Sequence, residues 1–334
     1  MIVKGLVEAD YIINISMLEK SGKYIVKGSV INSNLQVVDS HKITINSDEL
    51  LTGRDELVTR FINNLSNYIS DEEVRKCRSN ITKNPDAYTC LLKGLSLYKL
   101  GDVSLSESKA ALSWFEKSAE LDPYSARALA WRQCCLADLA VDVLEPGFMK
   151  SGRMVLEKAL QLDPNDHEVH RVCGGLFTVA QEHELGDYHF GKAIELNPND
   201  TRILLRSGYY RSFYDRQLND LNSIERAIEL NPNHPNYYHF DKGVASFNNM
   251  RYQAAFDNLK YCTTNNLTIQ LYSAAALEAL GHSEEARSFV HRAKRKFPDY
   301  QGMELTKMYP FACYANNEKG ERAVQLLEDA GWYE

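Results

Sequence analysis

The sequence predicts a mainly α-helical protein, built from repeated helix pairs and preceded by a small α/β segment. One observation is a phrase that recurs with small changes, as "VLEKALQLDP", "FGKAIELNP" and "SIERAIELNP". A second is that residues 9–47 alternate apolar and polar side chains, which is the pattern of half-buried strands. The phrase therefore indicates recurring helix ends, and the alternation indicates a sheet near the start of the chain.

The segment before the repeats has the pattern of a short antiparallel meander followed by a helix. Ile13, Ile15 and Met17 alternate with polar neighbours, and Ser-Gly and Asn-rich breaks separate the runs. A helix is predicted over about 54–70, where the apolar residues fall on one stripe. Residues 71–84 would then connect this segment to the first repeat.

The prolines that close the recurring phrase define its period. Pro123, Pro164, Pro198 and Pro232 are separated by 41, 34 and 34 residues, and Pro298 lies 66 residues further on. Each interval holds two helical stretches. Small residues stand where paired helices must approach closely, and a large apolar residue fills the space between them.

These positions resemble those of the tetratricopeptide repeat family. They hold Gly174, Phe190 and Ala193 in one unit and Gly208, Ile224 and Ala227 in the next. The resemblance covers roughly residues 85–334 and implies a right-handed α-superhelix of about seven helix pairs. The last pair, 304–334, matches only at Ala323, Leu327 and Ala330, as suits a terminal unit that covers the exposed core.

The two parts together also resemble a larger arrangement. "ADYII", the "SG" turn, "SHKI" and "NPDAYTCLLKGLSLY" look like the TolB-like segment and repeat array of HilA-type (ToxR/OmpR-like) transcription regulators and of some bacterial adenylate cyclases. This resemblance divides the chain into a partial TolB-like α/β segment (1–70), a connector (71–84) and a tetratricopeptide superhelix (85–334). Neither a winged helix nor a cyclase domain is recognisable, so we expect a fragment or a stand-alone remnant of such a regulator.

Composition limits the classes of partner and compartment. The net charge of −7 argues against a dominant nucleic-acid or anionic-membrane surface, and no apolar run is long enough to span a bilayer. The seven cysteines are scattered and form no C-x-x-C pair, as expected of small, reduced, buried side chains. These features favour a cytoplasmic protein that makes no direct contact with nucleic acid or membrane.

The sequence carries no recognisable catalytic motif. It has neither a phosphate-binding glycine-rich loop nor a G-x-S-x-G nucleophile elbow. His167 and His170 stand three apart, but no H-E-x-x-H motif or nearby cysteine completes a metal site. We therefore expect a protein that is not an enzyme and that needs no metal or cofactor.

By the family resemblance, residues of the first helix of each pair would line a concave, partner-binding groove. Arginines there would bind carboxylates through paired hydrogen bonds, and aromatic rings would supply apolar contact area. The alternatives are an ordinary solvated face for the arginines and core packing for Tyr237, Phe240 and Phe247. The groove positions are Arg127, Arg171, Arg202, Leu205, Tyr209, Tyr237, Phe240 and Phe247.

The sequence favours a non-catalytic regulatory or protein-interaction module, namely the sensory or partner-binding part of a bacterial transcription or signalling regulator. Its expected partner is a protein or peptide. One alternative is a small-molecule-binding sensor that controls oligomerisation. Another is a homodimer formed through open strand edges of the N-terminal segment.

Overall fold

The computed structural model describes residues 11–20, 22–32, 36–46, 86–98, 104–140, 142–214, 220–232, 234–262, 266–314 and 317–334. The predicted helix over 54–70 and the connector 71–84 lie outside these ranges. Among the described residues, no helix combines the length and the apolar character needed to cross a bilayer.

The predicted meander is present as a three-stranded antiparallel sheet. Its strands are β1 (Tyr11–Lys20), β2 (Lys23–Asn32) and β3 (Val37–Asn46), in the order β1-β2-β3. The turn between β1 and β2 places Gly22 at φ +71°, a backbone conformation that glycine adopts without a side-chain clash. Since β2 lies in the centre, β1 and β3 are the two edges of this sheet.

In the described residues that follow the sheet, twelve helices form six antiparallel pairs. They are α1 (Ala87–Leu97) with α2 (Leu105–Leu121), α3 (Ala126–Leu139) with α4 (Pro146–Leu162), α5 (His167–Val179) with α6 (His183–Leu196), α7 (Thr201–Arg211) with α8 (Asp220–Leu230), α9 (Tyr237–Asn248) with α10 (Tyr252–Leu259), and α11 (Leu267–Ala279) with α12 (Ser283–Lys296). From α3 to α11, each first helix also packs on the first helix of the next pair. The first helices thus form the inner layer of the superhelix.

The recurring phrase forms the junction between pairs. α4 and α6 both end at the leucine of the phrase, and the next residue donates its N–H to Ala159 O or Ala193 O. Two residues beyond each proline an aspartate caps the following first helix, with Asp166 capping α5 and Asp200 capping α7. One phrase therefore ends one helix and positions the start of the next.

Small and large residues interlock within a pair as the sequence predicts. A Cβ atom placed on Gly174 would lie 2.8 Å from the Phe190 ring, and one placed on Gly243 would lie 2.8 Å from Leu259. Ala193 is also fully buried. The glycines let the two helix axes approach while the large residue fills the remaining gap.

The predicted seventh pair lacks its first helix. Residues 298–314, which we call the strap, form three short 3₁₀ turns instead: Pro298–Tyr300, Leu305–Lys307 and Phe311–Tyr314. Pro310 cannot donate a helical hydrogen bond, and Gly302 adopts φ +74°. The family pattern could not foresee this substitution of a non-helical segment for a helix.

The strap crosses to earlier pairs. Gln181 Nε2 donates to Ala312 O at 3.3 Å and His183 Nε2 to Cys313 O at 2.8 Å, which joins the strap to the turn between α5 and α6. Near the far end of the array, the Phe311 ring stacks on Tyr272 with centroids 5.1 Å apart. The strap therefore lies against several first helices rather than extending the array.

A single helix, α13 (Glu318–Asp329), follows the strap and packs on α11. Its family-like positions Ala323, Leu327 and the adjoining Ala330 are all buried, as the sequence predicts. α13 covers the apolar face that the sixth pair would otherwise expose, which is the role of a terminal unit.

Candidate functional site

Four of the predicted groove residues are buried. Leu205, Tyr209, Phe240 and Phe247 have at most 1% of their surface exposed, so the prediction that they line an open wall is wrong. The Tyr209 ring lies 5.3 Å from Phe213 and 5.8 Å from Phe240, between α7 and α9. Neighbouring first helices and the strap together enclose the aromatic side chains in one apolar cluster, so the core-packing alternative is confirmed for Phe240 and Phe247.

Arg171 is buried as well, with 1% of its side chain exposed, although it was predicted on the open wall. Its guanidinium lies 4.5 Å from the Trp131 ring, and its Nε donates to Glu168 Oε2 at 2.7 Å. The Trp131 ring and the Glu168 carboxylate together offset the free-energy cost of removing the guanidinium charge from water. Arg171 therefore joins α3 to α5 instead of facing a groove.

Arg127, Arg202 and Tyr237 are the predicted groove residues that stay partly exposed. Arg127 is 45% exposed and its Nε donates to Asp166 Oδ2 at 2.6 Å. Arg202 is 35% exposed, and its Nε lies 3.5 Å from Glu168 Oε1. Tyr237 is half-buried against the apolar cluster that contains Trp131.

These groups form one chain of contacts, which we call the inner-wall ladder. It runs from α3 through the start of α5 to α7 and α9, and its members are Arg127, Asp166, Glu168, Arg171, Arg202 and Tyr237. Burial alone would favour the neutral form of Glu168, but Arg171 and Arg202 outweigh it and lower the pKa of this carboxyl to about 2. The ladder therefore alternates fixed positive and negative charges.

A second polar cluster, which sequence analysis missed, is buried between α7, α9 and the strap. Arg206 Nη1 donates to Asp241 Oδ1 at 2.6 Å, and Arg206 Nη2 donates to the Tyr309 hydroxyl at 3.1 Å. Burial raises the pKa of Asp241 to about 7, although Arg206 opposes the shift. The detectable signal was an arginine and an aspartate within two stretches rich in apolar and aromatic residues, "ILLRSGYY" and "YYHFDKGVASF".

A third contact joins the first two pairs. The Tyr98 hydroxyl at the end of α1 donates to the Asp138 carboxylate in α3, and lies 3.6 Å from Cys134 Sγ. Burial raises the pKa of Asp138, with Tyr98, Arg206 and Arg171 acting in the opposite direction. Asp138 is thus electrostatically coupled to the arginines of the inner layer.

One group of side chains near the ladder has donors suitable for a metal ion. The donor atoms of His167, Glu168 and Asp200 lie within 4.8 Å of one another. However, Asp200 Oδ1 already accepts the N–H groups of Arg202 and Ile203, and Glu168 is paired with two arginines. A cation there would face these positive charges and the N-terminal ends of two helices, so the group is better suited to its ion pairs.

The outer surface carries a separate groove of about 490 Å³ between α2, α3 and α4. Glu116 and Glu120 stand on one wall, and Arg132 and Lys158 belong to the other two helices. Sequence analysis did not identify this groove, because its walls come from helices of two different pairs.

No protein-family model matches the chain, and no curated protein is similar to it. Solved structures do resemble its fold. The human IFIT1 dimer with m7Gppp-AAAA superposes with a TM-score of 0.53 at 13% identity, over 79% of this chain and 64% of that one. A chain of the APC/C hetero-tetramer Cut9–Hcn1 gives a TM-score of 0.49 at 16% identity, over 78% of this chain and 46% of that one. YrrB, a TPR protein with an unusual peptide-binding site, gives 0.34 at 17%, over 56% and 93%.

The chain thus spans less than two thirds of the length of the first two of these proteins. At such low identity the likeness concerns the fold alone. Together with the 34-residue period and the stacked first helices, it shows a helical-repeat superhelix of the tetratricopeptide kind.

Proposed function

We propose that this chain is a non-catalytic protein-interaction module that binds an extended segment of a partner along the inner-wall ladder. The main support is that Arg127 and Arg202 are partly exposed, while each guanidinium is held by a carboxylate at the neighbouring helix, Asp166 or Glu168. Each guanidinium has five N–H donors, and the contact with its carboxylate involves Nε. The remaining donors suit the carbonyl and carboxylate oxygens of a peptide.

Fixed side chains favour binding, because less conformational entropy is lost when the partner docks. Tyr237 lies at the end of the same ladder and offers a half-buried aromatic surface beside Arg202. A segment that places an acidic residue near an apolar one would match this pattern.

The strap supports this mode of binding from within the molecule. His183 and Gln181 each donate a side-chain hydrogen bond to a main-chain carbonyl of the strap. Because both acceptors are main-chain carbonyls, such contacts hold a segment whatever its side chains, here the 3₁₀ turn Phe311–Tyr314. The strap contacts α9, α11 and the later parts of α5 and α7. We therefore assign the partner to the part of the inner wall where the ladder lies, at the N-terminal ends of α3, α5 and α7.

A protein partner is favoured over nucleic acid. The chain carries a net charge of −7, and Asp166 or Glu168 neutralises each exposed arginine of the ladder. Binding to a phosphate backbone depends on concentrated positive charge. The capped RNA bound by IFIT1 is therefore not the ligand class that we propose here.

The wider setting belongs to the same proposal. The TolB-like and HilA-type sequence resemblance supports a sensory part of a bacterial transcription or signalling regulator in the cytoplasm. A reducing compartment suits the scattered cysteines of the described residues, which form no disulfide with one another: Cys90, Cys134, Cys135, Cys173, Cys262 and Cys313.

A selected peptide tests the proposal. Linear peptides would be selected from a phage-displayed random library on the wild-type chain, and their affinity measured by fluorescence anisotropy. Arg202→Gln and Arg127→Gln should each weaken binding about tenfold or more, since a charged hydrogen bond contributes about 1.5–3 kcal/mol. Arg287→Gln, on the exposed face of α12, is the matched control and should bind as the wild type does. Unchanged affinity in both ladder variants would overturn the proposal.

A second candidate is a small-molecule sensor, and the buried cluster favours it. Arg206 Nε and Asp241 Oδ2 have no hydrogen-bond partner among the described residues, nor has Arg171 Nη2. A small polar ligand would satisfy such atoms. A thermal-shift panel that includes citrate and inorganic phosphate should then raise Tm in a concentration-dependent way, and Arg206→Met should remove the rise. A flat response across the panel would count against this candidate.

A further inference from the structure

Strand β1 is an edge of the sheet and is exposed on both of its faces. Nine of its ten residues are exposed. Its large apolar side chains are exposed by 40% at Ile12, 48% at Ile13, 56% at Ile15, 61% at Met17 and 62% at Leu18. Within the described part of the chain β1 pairs only with β2, so its other side from Ile12 to Lys20 offers N–H and C=O groups together with apolar surface. Natural proteins rarely leave such an edge uncovered.

The sequence of β1 lacks the protections that edge strands usually carry in their own residues. Its sequence, "YIINISMLEK", contains no proline, and its only charges lie at the final two positions, Glu19 and Lys20. Its pairing with β2 is regular over the whole strand, whereas the irregularity of the sheet lies between β2 and β3. The other edge, β3, carries Asp39, His41 and Lys42 within its sequence. The two edges therefore differ in their suitability for pairing.

Geometry restricts how β1 can pair with a second copy of itself. Two identical antiparallel edge strands are related by a two-fold axis perpendicular to the sheet. Such an axis maps each face of the sheet onto the same face of the second copy. Residues that lie opposite each other must therefore both have odd numbers or both have even numbers. This condition is met only when the two-fold axis passes through a residue that faces its own copy, and not when the axis passes between two residues.

The sequence of β1 is self-complementary about Ile15. With Ile15 opposite Ile15 of the second copy, the further pairs are Asn14 with Ser16, Ile13 with Met17, Ile12 with Leu18 and Tyr11 with Glu19. From Ile12 to Leu18, polar residues thus meet polar residues and apolar residues meet apolar ones. Centring on Ser16 would set Leu18 opposite Asn14, and centring on Asn14 would set Ile12 opposite Ser16.

We propose that β1 is a homodimerisation strand, which pairs antiparallel with β1 of a second copy about Ile15 to form one continuous six-stranded sheet. Ile13, Ile15 and Met17 of both copies then share one face, and Ile12 and Leu18 share the other. Cross-strand apolar pairs of this kind stabilise a sheet. The partner is a second copy of the chain, because the strand is complementary to itself in the antiparallel direction. It also carries almost no charge that would select a different partner.

The full chain tests the proposal by sedimentation equilibrium over a range of concentrations. The wild type should dimerise, and Ile15→Lys should weaken dimerisation about tenfold or more, because the two-fold axis sets the new charges directly opposite each other. Val37→Lys on β3, where Val37 is exposed by 62%, is the matched control and should leave the dimer unchanged.

Cysteine cross-linking tests the register separately from any effect on folding. Under mild oxidation Ile15→Cys should form an intermolecular disulfide well above the wild-type background, because opposite Cβ atoms lie at bonding distance. Ser16→Cys, which would face Asn14, should cross-link much less. A monomeric wild type, or equal cross-linking at both positions, would overturn the proposal; neither result bears on peptide binding by the ladder.

Discussion

Arg171 illustrates how a charge is accommodated inside this array. Its guanidinium lies over Trp131 and is bonded to Glu168, which in turn pairs with Arg202. Removing one partner of such a buried pair costs much more than the pair contributes, because the other charge stays without compensation. The charged residues of the inner layer therefore fix how adjacent first helices pack, and only the outer members, Arg127 and Arg202, retain surface for a partner.

His170 and His189 form a buried pair whose proton positions follow from their contacts. His170 Nε2 donates to Pro164 O at 3.0 Å, so His170 Nδ1 accepts from His189 Nδ1–H at 2.9 Å. Burial and the neighbouring His170 lower the pKa of His189 to about 4, and the Phe177 ring stacks on it at 5.2 Å. The folded state thus resists protonation of His189 where the unfolded chain accepts a proton.

The stability of the protein should therefore depend on pH through His189. The folded pKa lies below the unfolded value near 6.5, so this contribution is complete above about pH 6.5 and declines as the pH falls towards about 4, by roughly 2 kcal/mol. His189→Phe, which keeps an aromatic ring beside Phe177, should flatten urea-unfolding free energies over that range. His291→Phe on exposed α12 should retain the wild-type slope. An unchanged slope in His189→Phe would refute this assignment.

At the scale of elements, the packing of the α5–α6 pair depends on one point where the two helices approach closely. Gly174 in α5 meets the Phe190 ring of α6, whereas Gly191, the next residue of α6, has nothing within 4 Å of its Cβ position. The same substitution should therefore have opposite effects at two glycines of one pair, because glycine costs a helix conformational entropy only where no packing constraint requires it.

Gly174→Ala should destabilise the protein by about 1–3 kcal/mol, because the new methyl group overlaps the Phe190 ring. Gly191→Ala should stabilise it by about 0.5–1 kcal/mol, because alanine has the higher helix propensity. Urea denaturation with a common m-value measures both changes. Equal effects at the two positions would show that close packing does not decide the role of Gly174.

At the scale of the whole molecule, the sequence could predict the structural features that recur with the repeat period. The helix pairs, their junctions and the buried Ala323, Leu327 and Ala330 follow from local packing that recurs with the period. The inner wall could not be predicted, because it depends on contacts between residues that lie far apart in the sequence. Tyr237 on α9 packs against the cluster of Trp131 on α3, and Cys313 in the strap contacts His183, 130 residues earlier.

The strap should divide the molecule into regions of different local stability. It joins the turn after α5 with α7, α9 and α11. Its bonds include Tyr314 to Asn248 at 2.5 Å and Tyr314 to Tyr272 at 2.9 Å. Its described contacts do not reach α1 or α2. An array with only nearest-neighbour contacts frays from its ends, whereas cross-links between distant units oppose fraying.

Hydrogen exchange measured by mass spectrometry should therefore show lower opening free energies in α1 and α2 than in α5 to α11. Tyr314→Phe should lower the protection of α9 and α11 by about 1–3 kcal/mol, because Asn248 Oδ1 then lacks a buried donor, and should leave α1 and α2 unchanged. Tyr300→Phe, at the half-buried start of the strap, is the control and should alter neither region. Uniform loss of protection in Tyr314→Phe would mean that the array opens as one unit, with no separate contribution from the strap.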